Sequence, residues 1–128
     1  MIPILQRHES DCFGACVASI LEVPYDSLPF CRHKTHAEWV TYLHRLDAWL
    51  HDRGLFALEV ALGDSNIREA WHIVTGPGSR GVDHSVVYYH DQLKHDPHHL
   101  GKGLDLRSKD KWTYTYFVQI DPALQEQV

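Results

Sequence analysis

Cysteine is scarce in this chain: there are three among 128 residues, an odd number where a disulfide-dependent scaffold would carry more of them in pairs. A reducing cytoplasm is the compartment this implies. Long hydrophobic runs are also missing. The amino-terminal MIPILQRHESD has too short an apolar run for a signal peptide, and no later stretch approaches a membrane span, so a cytoplasmic protein with no membrane partner is expected. Positive charge is thin, with 12 Lys and Arg against 17 Asp and Glu and a formal net charge of −5. These basic residues are scattered, which argues against general nucleic-acid binding because phosphate contacts need them clustered. Nucleotide motifs are absent as well. The GPGSRG segment that begins at Gly76 has no Lys-Ser/Thr behind it and no GxGxxG within it, so it reads as loop punctuation rather than a phosphate cradle. No internal repeat, low-complexity tract or linker interrupts the chain.

What remains fits one globular domain, since a composition of 44% hydrophobic and 23% charged residues is neither disordered nor membranous. Ser10 or Asp11 can cap a helix reaching Leu21 or Glu22. Its Phe13, Ala15, Cys16, Val17, Ile20 and Leu21 are apolar around most of the circumference, so it must be largely buried. Val23, Pro24 and Tyr25 end it, and DSLPFCRHK reads as a loop with one short helical turn. Thr35 and Glu38 form a capping-box pattern ahead of Trp39, Leu43, Leu46, Trp49 and Leu50 at helical spacing, with Gly54 as the stop. An aromatic stripe at that spacing reads as core. Strands are expected over Leu55 to Leu62, Trp71 to Thr75, Val82 to Tyr89, Leu93 to Asp96 and Trp112 to Ile120, with a short helix or turn over Ser65 to Ala70. Helices first and a meandering antiparallel sheet afterwards predict an α+β domain with the leading helix packed on the sheet.

The chemistry concentrates in two segments. QRHESDCFGACVASIL, from Gln6 to Leu21, puts Cys12 where a helix begins, and the positive end of a helix dipole favours an anion. Thiolate is the anion that attacks carbonyls. Cys16 lies one turn deeper on an apolar helix, where burial raises a thiol's pKa, and Cys31 sits in a loop with nothing to recommend it. DHSVVYYHDQLKHDPHH, from Asp83 to His99, supplies the partners: His84 is held in a strand beside Val86 and Val87, as a general base requires, and Asp96 precedes Pro97 at a strand end. Asp96 could there accept the Nδ1 proton of His84. Gln6 is near enough in sequence to return its amide to the helix start, where it and the Cys12 backbone N–H could bind an oxyanion.

Strand parity constrains this pairing. A plain two-residue turn at His90 and Asp91 would set Ser85 opposite Asp96 and point His84 to the other face. A His84–Asp96 pair therefore predicts an odd loop count or a bulge in this hairpin.

The Gln6-x5-Cys12 element with Ala15 to Leu21 behind it, together with His84-x11-Asp96-Pro97, resembles the papain-like cysteine peptidases of the C39 type. These include the double-glycine leader peptidases of bacteriocin exporters and free-standing C39-like proteins. The resemblance implies a papain-like fold, Cys12 as nucleophile, His84 as base, Asp96 orienting that base, and Gln6 in the oxyanion hole, with no cofactor and a peptide or protein as substrate. The exporter peptidases commonly carry Gly directly after the nucleophile, where this chain has Phe13 and then Gly14. There is no transporter segment, so the chain is similar to a stand-alone relative, bacterial or phage-borne. Two other readings compete with it. The eleven histidines raise a metal site built from His95, His98, His99 and Asp96, with His84 or His90, although HExxH and CxxC spacings are absent. The other is a papain-like module that binds a peptide or small ligand without hydrolysing it.

Overall fold

The structure is a computed structural model that describes residues 1–29, 33–61 and 69–120. Helix α1 spans Cys12–Leu21 and helix α2 His36–His51, followed by strands β1 (Leu55–Val60), β2 (Trp71–Pro77), β3 (Asp83–Tyr89), β4 (Gln92–His95) and β5 (Thr113–Gln119). Short 3-10 segments occupy Tyr25–Ser27 and Leu106–Lys111. This is an α+β domain, with helices preceding a five-stranded, wholly antiparallel sheet. Strand Leu55 to Leu62 ends earlier than expected, at Val60, and most of the turn expected over Ser65 to Ala70 lies outside the described residues.

The helices stop and start where their ends demand. Residues 13–19 of α1 are buried without interruption, as its all-round apolar surface requires, and Glu22 closes it in the left-handed region at φ 57°. Thr35 caps α2 by accepting from the Glu38 N–H at 3.2 Å, and its hydroxyl donates to the Glu38 carboxylate. Gly54, at φ 71°, lies just beyond that helix and turns the chain into β1.

The strand order is β1-β5-β2-β3-β4, so the sheet is not a simple meander. The last strand inserts between the first two, pairing Leu55 with Gln119 on one side and His72 with Tyr116 on the other. Nothing local in the β5 sequence encodes its neighbours. Trp112, expected to open that strand, instead ends the preceding 3-10 segment.

Both faces of the central strands are covered. Phe13, Cys16 and Val17 of α1 and Tyr42, Leu46 and Leu50 of α2 form one core with Ile73 and Val87, while the alternate positions Val74 and Val86 pack with Leu104 and Trp112 on the other side. Trp112 lies so close to β2 that a Cβ on Gly76 would stand 2.5 Å from its indole Cδ1, so only glycine fits.

The hairpin between β3 and β4 combines a two-residue turn with a bulge. Tyr89 pairs with Gln92 and Tyr88 with Leu93, but Val87 pairs with His95, leaving Lys94 as the extra residue. The added residue carries Asp96 to the parity of His84 rather than that of Ser85. The amino-terminal segment is strapped across this region by Ile4 N–H to Ser19 Oγ at 3.0 Å, Gln6 N–H to the Pro97 carbonyl at 2.9 Å and His95 Nε2 to the Ile4 carbonyl at 2.7 Å.

Leu46 sits in the seam between α2 and the rest of the core. Leu46→Ala is expected to lower unfolding free energy by about 2–5 kcal/mol, and Thr35→Ala by about 1 kcal/mol, in urea titrations.

Candidate active site

Cys12 stands at the first position of α1, half-buried, at the mouth of an open cleft of about 720 Å³. Phe13, Trp39, Thr75, His84 and Ser85 are among the residues that line it. His84 enters from the start of β3 and is held on both sides. Gly78 presses against it from the preceding turn, where a Cβ would meet the Val82 carbonyl at 2.7 Å and His84 Cβ at 3.1 Å. Its ring donates from Nε2 to Asp96 Oδ1 at 2.6 Å, both side chains being almost wholly buried at 3% and 5% exposure. The nitrogen facing Asp96 is thus Nε2, not the expected Nδ1. Cys12 lines the same cleft, and its interaction with the ring is one cause of the raised pKa of His84.

Asp96 is a built anion site. Besides His84, its Oδ1 accepts from the His98 N–H at 2.9 Å and its Oδ2 from the Gly103 N–H at 2.7 Å. Gly103, at φ 70°, supplies that N–H from a left-handed conformation. Burial would raise the Asp96 pKa, but the hydrogen bonds from His84, His98 and Gly103 outweigh it and hold the carboxyl at about 2. Burial would likewise strip the His84 proton, yet its bonds to Asp96 and Cys12 raise the imidazole from 6.5 to about 9. Both shifts favour a charged imidazole beside a charged carboxylate.

The remaining expected residues fall less uniformly. Cys16 is fully buried, and burial, followed by the nearby Cys12, Asp96 and Asp11, pushes its thiol well above the ordinary range. Cys31 lies outside the described residues. Gln6 donates its amide to the His8 carbonyl at 2.8 Å, its Oε1 is buried without a partner among the described residues, and it is not among the residues lining the cleft. Asp11, not Ser10, occupies the N-cap position of α1, and its side chain makes no capping bond.

Sequence reasoning missed the groups that hold this arrangement. Gly78 and Gly103 act through backbone position, and a glycine-rich loop carries no mark of which glycine is needed. Arg80 of the same loop reaches Glu9 at 3.3 Å, and His98 Nε2 lies 3.5 Å from the other oxygen of Glu9, tying the approach to Cys12 to both flanking loops. Trp39, expected in the core with the rest of its stripe, also forms a wall of the cleft, edge-on to Phe13 at 5.7 Å between ring centroids.

The histidine cluster is otherwise occupied. His95 bonds to the Ile4 carbonyl, His98 Nδ1 accepts from the Leu100 N–H at 3.1 Å, and Asp96 is turned to His84. Among the described residues, no group of three His, Cys, Asp or Glu side chains is arranged to hold a metal ion. No described helix is long and apolar enough to cross a membrane.

No protein-family model, curated protein or solved structure matches this chain. The arrangement itself is what speaks to chemistry: a thiol at a helix start, a charged imidazole beside it and a carboxylate behind the imidazole, opening on a cleft.

The pKa of His84 is raised on folding, so its contribution to stability is full below about 6.5 and is lost as pH climbs through about 9. That of Asp96 is lowered, so its contribution is present above 3.8 and lost as pH falls through about 2. Urea unfolding should therefore show stability falling between pH 7 and pH 9.5 in the wild type and falling less in His84→Ala. Gly78→Ala should displace the imidazole, slowing alkylation of Cys12 about tenfold or more while circular dichroism stays near wild type.

Proposed function

We propose that this protein is a thiol hydrolase that cleaves a peptide or isopeptide amide bond, on a papain-like domain of the C39 type. The observation that carries the reading is the 2.6 Å bond from His84 Nε2 to Asp96, which leaves the other face of the same ring for Cys12 at the cleft. A buried imidazolium that bridges a carboxylate and a half-buried thiol is costly to build for packing alone, and it has the polarity an acyl-transfer nucleophile needs.

In this reading Cys12 Sγ attacks the scissile carbonyl as a thiolate paired with the His84 imidazolium, forming the S–C bond and an oxyanion. The imidazolium gives its proton to the leaving amine as the C–N bond breaks. Water then enters, His84 takes one of its protons, and the thioester is released as a carboxylic acid with the thiol regenerated. Asp96 stays ionised throughout and fixes the ring. The oxyanion would take the Cys12 N–H at the start of α1, where the Asp11 side chain makes no capping bond. Gln6 joins as second donor by turning its amide from the His8 carbonyl toward the cleft. The same opening step serves deamidation and transamidation, so the reaction class is acyl transfer from an amide. A reducing compartment such as the cytoplasm suits the free thiols of Cys12 and Cys16.

Alkylation with iodoacetamide followed by peptide mapping tests activation without a known substrate. Cys12 is expected to react first, and His84→Ala to slow it at least tenfold; preferential reaction elsewhere contradicts the proposal. Against a library of peptide and isopeptide substrates, Cys12→Ala should lose turnover by about a thousandfold or more and Cys16→Ala should retain it. Gln6→Ala should lower kcat by about tenfold to a thousandfold if its amide reaches the oxyanion.

A further inference from the structure

Asp11 is a buried acid that the mechanism above leaves without a role. It is 3% exposed, and its Oδ2 has no hydrogen-bond partner among the described residues. An Asp at an N-cap ordinarily turns its carboxylate to the first amides of the helix, but this one does not. It packs instead against Gly14, where a Cβ would lie 2.9 Å from Asp11 Oδ1 and 3.3 Å from the Tyr42 hydroxyl. The missing side chain at Gly14 thus leaves room for the carboxyl under the first turn of α1, next in sequence to the nucleophile.

Few charges reach it. From the amino-terminal segment, Arg7 offers its backbone N–H, while its guanidinium is held by Asp26 at 2.6 Å and lies over the Tyr25 ring at 4.2 Å. From α2 comes the Tyr42 phenol. From α1 come Cys12 and Cys16, and the Cys16 thiol also feels Asp96 from beyond β4. Every other group in this set is neutral or becomes negative when it ionises, so among the described residues a carboxylate at Asp11 has almost no compensation, whereas Cys12 has the His84 ring.

We propose, resting on the hydrolase reading, that Asp11 is a positioning residue for Cys12: as a neutral acid it permits negative charge on the sulfur, and as a carboxylate it opposes it. Burial, offset only in part by the Arg7 N–H and charge, supports this by raising the acid from 3.8 to about 7, so the exchange falls near neutrality. Substrate or solution conditions that keep Asp11 protonated therefore keep the nucleophile poised.

The test is the pH profile of Cys12 alkylation by iodoacetamide in wild type and Asp11→Asn, which keeps the shape and removes the ionisation. The ratio of the Asp11→Asn rate to the wild-type rate is expected to rise about threefold to tenfold between pH 6 and pH 8. A ratio that does not change with pH overturns the role of Asp11, since a purely structural loss would lower both rates alike. Carboxyl NMR of the wild-type chain, with Asp11 assigned through its backbone, gives a second measurement that needs no variant. A midpoint near 7 supports the proposal, and one below about 5 overturns it. If Cys12 is not the preferred thiol, or His84→Ala leaves it unaffected, the hydrolase reading itself has failed. If Cys12 is preferred and the ratio is flat, only Asp11 has.

Discussion

The hydrogen bond between His84 and Asp96 depends on one residue, Lys94, being added to one side of a hairpin. Without that bulge, strand alternation would put the carboxylate on the opposite face of the sheet from the imidazole. With it, a short two-stranded ribbon becomes a holder for a charged pair that is almost entirely withdrawn from water. Breaking such a pair leaves one buried charge uncompensated, at a cost of about 3–5 kcal/mol, so the hairpin and the site stand or fall together.

The surrounding structure keeps the pair in register with Cys12. α1 packs on β2 and β3, and its buried face shares a core with Ile73 and Val87, so the helix start is referenced to the strand that carries His84. The loop that follows Asp96 returns to the turn before β3 through Gly78 and Leu104 and through the Asp105 N–H to the Pro77 carbonyl at 2.8 Å. Those bonds deliver the Gly103 N–H to Asp96. Rigid placement here comes from backbone closure on both sides of the pair, which is how a small domain can hold a charged site without a large core.

Much of this was legible in the residues. Unbroken apolar character from Phe13 to Val17 made α1 a buried helix, Thr35 and Glu38 marked the start of α2, and a His84–Asp96 pair demanded an odd loop count or a bulge, of which the β3–β4 hairpin has the bulge. Other features had no local signature. The place of β5 between β1 and β2 is a matter of long-range pairing, as is the approach of Trp112 to Gly76. Which imidazole nitrogen meets Asp96 depends on how the ring enters from β3, and the turning of Gln6 to the His8 carbonyl depends on the amino-terminal strap. Glycine fits at Gly78 and Gly103 because of neighbours far along the chain, so spacing alone could not single them out. The resemblance to C39 peptidases singled out Cys12, His84 and Asp96, of which Cys12 and His84 line one cleft and Asp96 bonds to His84.

The central claim is that the His84 ring is a charged bridge between a carboxylate and a thiol, and an NMR titration of that imidazole in the intact chain reads it directly. A midpoint near 9, falling toward the ordinary histidine range in Asp96→Asn, is what the account predicts. A wild-type midpoint at or below 6.5 would contradict it, because the ring would then be a buried neutral histidine with no ion pair to offer Cys12.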